Sequence, residues 1–229
     1  MKANRCPVWT PLYWHRRLLH EYVVRESSGF LDVLQKRFLR ESLQILDAGC
    51  GSMPYRDAFT GLKSVTYVGA DVPWAGNKPE VTIDAKSQRI GAPDASFHGL
   101  IHFQVLEHVP DYSVFLAECF RLLKPGGTMF CTVPFAFEFH AVPSDYRRWT
   151  HEGLKFDLEK CGFNVLKIEP VESDFLSVLS ICELYLARKL GYVITKPLFL
   201  GMNALGFPGW PAGKGLIPLT NGVLCQKPT

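Results

Sequence analysis

The chain has 229 residues, of which 47% are hydrophobic, and a formal net charge of +3. This length and apolar content allow a large core without cross-links, which excludes a disordered chain. A net charge this small excludes a partner that binds mainly through a large excess of positive charge, so we expect no nucleic-acid binding. The seven cysteines are odd in number and form no C-x-x-C pair, which favours reduced thiols over a disulfide framework or a zinc site. The first ten residues do not resemble a signal peptide, so a cytoplasmic location is expected.

Helix and strand patterns alternate along the chain. Residues 12–40 predict two helical pieces separated at 27–29. Short apolar runs predict strands at 43–48, 65–70, 81–83, 97–103, 128–133, 163–168 and 222–226. Between them, helices are predicted at 111–123, with Asp111 as N-cap, and from Thr150 to Cys161. The alternation predicts an α/β fold with a mostly parallel sheet covered by helices on both faces.

The first predicted strand ends in a glycine-rich turn. Asp47, Gly49, Cys50 and Gly51 stand at its carboxyl end, which is where ligands bind in parallel sheets. The two glycines permit positive φ and a close approach of a ligand to the backbone. An ordinary strand-to-helix turn would explain the same residues. Pro54 stands where the dinucleotide fingerprint needs its third glycine, which disfavours a dinucleotide-dependent oxidoreductase.

Three segments carry a family resemblance. ILDAGCG at 45–51 resembles the first motif of class I S-adenosylmethionine-dependent methyltransferases, although Met53 departs from its third glycine. VLEHV at 105–109 and LKPGG at 123–127 also resemble segments of this family. The resemblance implies a Rossmann-like, seven-stranded, mostly parallel sheet and methyl transfer from S-adenosyl-L-methionine. It also implies cofactor contacts by the turn after the first strand, namely Asp47, Gly49, Cys50 and Gly51.

Polar residues also follow the next three strands. Asp71 ends the second strand, and its carboxylate can accept both hydroxyl hydrogens of a ribose. A helix N-cap is the alternative for Asp71. By the resemblance, Asp84 would accept from the adenine amine, with a solvated loop aspartate as the alternative. The remaining cofactor contacts that we predict are Val72, Ala85 and Gln104.

The predicted catalytic residues are histidines and one aspartate. His108 follows the fourth strand and can act as base or donor near neutral pH, or can brace the cofactor loop together with Glu107. Residues 134–150 resemble the H-x-x-P-x-D-[aromatic]-x-R-[aromatic]-T stretch of a type 11-like methyltransferase subgroup that is often linked to glycan or secondary-metabolite biosynthesis. In this stretch, His140 or Asp145 could remove a proton from the acceptor.

The same stretch supplies the predicted substrate contacts. Arg148 could bind a carboxylate or phosphate, and the aromatic side chains of Tyr146 and Trp149 could hold a ring or sugar. An ion pair between Asp145 and Arg148 that fixes the loop is the alternative. No set of residues with metal-ligand spacing is found, so no metal is expected.

The sequence divides into a helical N-terminal extension at 1–42 and a methyltransferase domain at 43–229. This domain contains a hydrophobic insertion at about 173–218. Residues 173–210 carry a surplus of apolar side chains, which four interpretations explain: an extra core layer, a lid over an apolar acceptor, a homodimer surface, or a peripheral membrane contact.

We therefore predict methyl transfer to an oxygen or nitrogen atom of a small-molecule, glycan or lipid-linked acceptor. The alternative is a catalytically inactive methyltransferase-like module that serves as a binding or scaffold protein.

Overall fold

The structure is a computed structural model that describes residues 10–39, 41–61, 64–74, 78–141, 144–172, 174–204 and 216–229. Its strands are β1 (Leu43–Ala48), β2 (Val65–Asp71), β3 (Val81–Thr82), β4 (Phe97–Phe103), β5 (Leu123–Pro134), β6 (Asn164–Pro170) and β7 (Thr220–Gln226). They form one seven-stranded sheet in the order β3-β2-β1-β4-β5-β7-β6. Strand β7 alone runs antiparallel to its neighbours β5 and β6. The predicted fold class is confirmed.

The helices cover both faces of the sheet. They are α1 (Tyr13–Arg37), α2 (Arg56–Phe59), α3 (Tyr112–Leu122), α4 (His151–Lys160), α5 (Asp174–Leu190) and α6 (Tyr192–Ala204), with a 3₁₀ turn at Leu106–His108. The predicted N-cap of α3 is confirmed, because the Asp111 carboxylate accepts from two backbone N–H groups of the first turn. The Thr150 hydroxyl accepts from the Gly153 N–H in the same way at α4. These caps explain why both helices begin where the sequence predicts.

The prediction of two helical pieces near the N-terminus is wrong, because α1 is a single helix. The hydroxyl groups of Ser27 and Ser28 donate to the carbonyl oxygens of Val24 and Arg25, so both serines are accommodated within the helix. Burial of Phe30 on the sheet holds the helix together across this point. Tertiary packing here overrides the weak helix propensity of the Ser-Ser-Gly sequence.

Helix α1 lies directly on the sheet. A Cβ atom at Gly99 would come within 2.7 Å of both Phe30 and Leu34, and one at Gly222 within 2.1 Å of the Tyr22 hydroxyl. Glycines at these two places let the helix approach the backbone of β4 and β7 closely. The helix therefore forms part of the core, and the division of the chain at residue 42 stays a prediction.

The apolar segment after β6 forms α5 and α6, which expose many of their hydrophobic side chains. Val193 is 84% exposed and Ile194 is 71% exposed. Among the described residues, no helix is both long and apolar enough to cross a membrane. Residues 205–215, which belong to the predicted insertion, lie outside the described residues. The lid, homodimer and membrane roles of this segment stay predictions.

Candidate active site

A cavity of about 700 Å³ opens at the carboxyl ends of the parallel strands. It lies beside β1 and β4, between which the strand order reverses, as expected for this type of sheet. Of the residues predicted to contact a cofactor, those lining it are Gly49, Asp71, Val72, Asp84, Ala85 and Gln104. The cavity wall also includes His108 and Tyr146 from the predicted catalytic and substrate sets. Residues from five distant parts of the sequence therefore meet at one site.

The glycine-rich turn forms one wall of the cavity. Gly49 has φ +81°, and a Cβ atom there would come within 2.6 Å of a Val105 methyl group. The backbone N–H groups of Gly49 and Cys50 donate to the Ala70 carbonyl, at 2.7 and 3.0 Å. These bonds tie the turn to the end of β2. Gly49 is thus required both by its backbone conformation and by close packing.

Asp71 links the glycine turn to the cavity. Its Oδ2 accepts from the Gly51 N–H at 2.8 Å, and its Oδ1 accepts from the Val72 N–H at 2.7 Å. Each carboxylate oxygen keeps a further lone pair, because it can accept more than one hydrogen bond. The side chain is therefore held in one orientation at the cavity edge and can still accept from a vicinal diol.

Asp47 lies behind the turn and does not line the cavity. Its carboxyl is 3% exposed and accepts a short hydrogen bond from the Tyr67 hydroxyl. Burial disfavours the charged form and raises the pKa of Asp47 to about 7. The other predicted contacts that do not line the cavity are Cys50 and Gly51. Asp47 is therefore part of the buried interior behind the turn and not of the cavity wall.

Replacing Asp47 by asparagine is expected to remove part of the pH dependence of stability. Between the unfolded pKa of about 3.9 and the folded pKa, the unfolded chain ionises while the folded carboxyl stays protonated. The free energy of unfolding of the parent should therefore fall by roughly 2–4 kcal/mol from pH 4 to pH 7, relative to Asp47→Asn. Urea denaturation at stepped pH measures this difference. Parallel curves for the parent and the variant would contradict it, and Asp57→Asn, at an exposed aspartate, is the control.

The Asp84 loop also lines the cavity. The Asp84 Oδ1 accepts from the backbone N–H groups of Lys86 and Ser87 and from the Ser87 hydroxyl, and these bonds lower its pKa. The loop is thereby closed on itself, while Ala85 faces the cavity. The buried side chain of Gln88 pairs with the backbone of Asp111, which fixes the loop to α3.

Glu107, His108 and His140 form a compact cluster, of which His108 lines the cavity while Glu107 and His140 lie behind it. Glu107 Oε1 lies 3.7 Å from His108 Nε2 and 3.9 Å from His140 Nε2. Burial raises the pKa of Glu107 to about 7 and lowers that of His108, because it disfavours the charged form of each group. The structure therefore brings the two predicted catalytic histidines together.

Asp145 and Arg148 form the ion pair that was the alternative to a role in substrate binding. Each N–H group of the Arg148 guanidinium donates to an acceptor within the protein: both Asp145 oxygens and the carbonyl oxygens of Phe137, Glu138 and Arg147. The guanidinium beside it holds the pKa of Asp145 at about 2, so this carboxylate is a poor base. The geometry favours a structural role for both residues.

Trp149 also does not face the cavity. Its ring is 5% exposed and packs in the core, and its indole N–H donates to the Asp157 carboxylate at 3.0 Å. A substrate contact is therefore not supported for Trp149, nor for Arg148, whose donors are all used. Tyr146 is 51% exposed and lines the cavity, so it remains the predicted aromatic contact.

Several residues of the site were not singled out from the sequence. Those lining the cavity are Trp74, Ile83, Gln88, Val105, Val109, Pro110, Phe115 and Ser144. Trp74 stands three residues after Asp71 and is 57% exposed. An aromatic residue just after the end of a strand of a parallel sheet is a sequence pattern that could have predicted this contact. Gln88 and Ser144 had none, because tertiary folding alone brings them to the cavity.

Comparison with known proteins now agrees with this geometry. The family model of a methyltransferase domain matches residues 13–168. The chain belongs to the methyltransferase family. It is 31% identical over 168 residues to the ubiquinone biosynthesis O-methyltransferase of Dinoroseobacter shibae, an alignment that covers 64% of this chain and 67% of that protein.

Solved structures show the same fold. Phosphoethanolamine N-methyltransferase 2 of Haemonchus contortus, solved in complex with S-adenosyl-L-methionine, matches with a TM-score of 0.54 and 15% identity, covering 88% of this chain and 53% of that one. The [4+2]-cyclase SpnF matches with a TM-score of 0.55 and 19% identity, covering 89% and 82%. This methyltransferase is thus a class I, S-adenosylmethionine-dependent enzyme by family and by fold.

Proposed function

We propose that this methyltransferase transfers the methyl group of S-adenosylmethionine to a hydroxyl oxygen of a small-molecule, glycan or lipid-linked acceptor. The observation that carries the proposal is a cavity that the strand ends and His108 line together. The O-methyltransferase relative supports oxygen as the acceptor atom. Nitrogen stays the alternative that the sequence left open.

The residues at the strand ends account for cofactor binding. Asp71 would accept from the ribose hydroxyl groups, and Asp84 with Ala85 would hold the adenine. Gly49 lets the cofactor pass close to the turn. Gln104, whose amide donates to the Thr132 hydroxyl at 3.2 Å, lies at the end of β4 beside this path. Alignment in a dry cavity is the main contribution of the protein, because the sulfonium already carries the reactivity.

The histidine cluster accounts for oxygen as the acceptor atom. Transfer to a hydroxyl breaks its O–H bond, forms the new O–CH₃ bond and breaks the S–CH₃ bond, so a proton has to leave. His108 Nδ1 contacts the Ser144 carbonyl and His140 Nδ1 lies 3.0 Å from the Glu138 carbonyl. These carbonyl groups can only accept, so each neutral ring carries its proton on Nδ1. Both Nε2 atoms therefore keep their lone pairs, and His108, which lines the cavity with the His140 ring against it, can promote loss of the acceptor proton.

Labelled S-adenosylmethionine tests the proposal on a panel of phenols, catechols, sugars and matched amines. The expected result is label on an oxygen atom of at least one acceptor, with turnover reduced at least tenfold in His108→Ala and His140→Ala. His151→Ala, at a histidine outside the cavity, is the control and should keep parent turnover.

Two other outcomes would change the conclusion. Label on amines alone, with turnover unaffected in both histidine variants, would favour nitrogen as the acceptor atom. Tight cofactor binding without transfer to any acceptor would favour the binding or scaffold module. The likeness to SpnF shows that the same fold also occurs in a cyclase.

A further inference from the structure

We infer that Glu107, His108 and His140 bind a divalent transition-metal ion at the wall of the cavity. One ligand atom from each of these side chains lies within 4.8 Å of the others. Two ligands of one tetrahedral ion are separated by roughly 3.4 Å, since each lies about 2.0–2.2 Å from the metal. The carboxylate-to-imidazole distances of 3.7 and 3.9 Å are close to this separation.

Glu107 is the observation that points to a ligand. Glu107 is fully buried, and neither of its carboxylate oxygens has a hydrogen-bond partner. A buried carboxylate without any partner is costly, so such groups are normally paired or bound to a metal. The basic side chains within 4 Å of it are the two imidazoles, whereas the Arg148 guanidinium, whose charge lowers the pKa of Glu107, donates its hydrogen bonds to other acceptors. A cation held between the three groups would satisfy the carboxylate.

The contacts of the two histidines match those of metal ligands. His108 Nδ1 contacts the Ser144 carbonyl, and His140 Nδ1 lies 3.0 Å from the Glu138 carbonyl and 3.3 Å from Asp145 Oδ2. Histidines that bind metals usually donate their second ring N–H to a carbonyl or carboxylate, which orients the ring. This arrangement directs the free Nε2 atoms toward the cluster and gives Asp145 a positioning role.

The combination of ligands indicates the class of ion. Two imidazoles and one carboxylate suit zinc and its first-row neighbours better than magnesium or calcium, which prefer oxygen ligands. His108 also lines the cavity, so the ion would keep an open coordination position toward it. The inference reverses the sequence-based expectation of no metal.

The chemistry of such an ion rests on the proposed function. A metal-bound hydroxyl loses its proton more readily, so the acceptor proton could pass to water while the histidines act as ligands. Without an ion, the same Nε2 lone pairs would accept the proton directly. Dependence of turnover on metal separates the two cases.

Binding of Zn²⁺ to the EDTA-treated full chain tests the site by calorimetry and by metal analysis after dialysis. We expect one equivalent bound by the parent, and affinity reduced at least about tenfold in Glu107→Gln and in His140→Ala. His151→Ala is the matched control and should bind Zn²⁺ like the parent. Circular dichroism and cofactor binding verify that each variant is folded. Absence of Zn²⁺ binding by the parent, or equal binding by all variants, would overturn the inference.

The two proposals fail in different measurements. Turnover that EDTA leaves unchanged, together with no bound Zn²⁺, would overturn the metal site and leave methyl transfer intact. Absence of cofactor binding would overturn the proposed function without affecting Zn²⁺ binding. Glu107→Gln should keep its affinity for S-adenosylmethionine within about threefold of the parent, because Asp71 and Gly49 line the cavity and Glu107 does not.

Discussion

Replacing Asp71 with alanine is expected to weaken S-adenosylmethionine binding about 30- to 150-fold, or roughly 2–3 kcal/mol. The variant loses the carboxylate that would accept from the ribose hydroxyl groups, and hydrogen bonds to a charged acceptor are about twice as strong as neutral ones. It also releases the Gly51 N–H, which Asp71 Oδ2 holds at 2.8 Å. Both effects act on the same wall of the cavity. Calorimetric titration of the folded variant with the cofactor measures the loss.

Two further variants make the Asp71 result specific. Asp71→Asn keeps the shape and one acceptor oxygen, so its affinity should lie between those of the parent and the alanine variant. Asp57→Ala removes the same charge from the exposed surface of α2 and should bind the cofactor like the parent. An affinity of Asp71→Ala within threefold of the parent would show that this carboxylate does not bind the ribose.

Replacing Gly49 with alanine is expected to lower the free energy of unfolding by roughly 2–4 kcal/mol. Two costs add up. The backbone at φ +81° is unfavourable for any residue with a Cβ atom, and that atom would lie 2.6 and 2.7 Å from the methyl groups of Val105. Valine cannot rotate away easily, because its branched side chain is restricted at χ1. Urea denaturation measures the loss.

A double-mutant cycle separates these two costs. When Gly49→Ala is added to Val105→Ala, no clash remains, so the further loss relative to Val105→Ala alone should be only the backbone strain of about 1–2 kcal/mol. Gly51→Ala is the matched control, since Gly51 has φ +51° and nothing within 4 Å of its missing Cβ atom. Its loss should be confined to backbone strain. Equal losses in Gly49→Ala and Gly51→Ala would contradict the role of Val105.

Local sequence patterns predicted most of the fold. Each strand was recognised as a short apolar run, although β5 begins earlier than predicted because Leu123 pairs with Phe97 ahead of a register shift. The polar residues just after the strands were the right place to look, since parallel strands end at one edge. Asp71, Asp84 and Gln104 therefore lie at the same cavity although they are far apart in sequence.

Contacts between distant segments were not predictable in the same way. Glu107 and His140 have no metal-ligand spacing in sequence, and they meet because β4 and β5 are neighbours in the sheet. The sequence allowed Arg148 either to bind an acceptor or to pair with Asp145. The hydrogen-bond acceptors around its guanidinium decided this question, and most of them are backbone carbonyl groups that no sequence pattern displays.

The sequence by itself determined the α/β sheet, the family and the strand ends where a cofactor binds, because periodicity and glycine-rich turns are local properties of the chain. Tertiary structure alone decided that α1 is one helix packed on the sheet, that Asp47 lies buried behind the turn, and that Glu107 has two histidines beside it and no hydrogen-bond partner. Burial, pKa shifts and side-chain clusters depend on what packs from elsewhere in the chain. They are therefore decided only when the whole chain has folded.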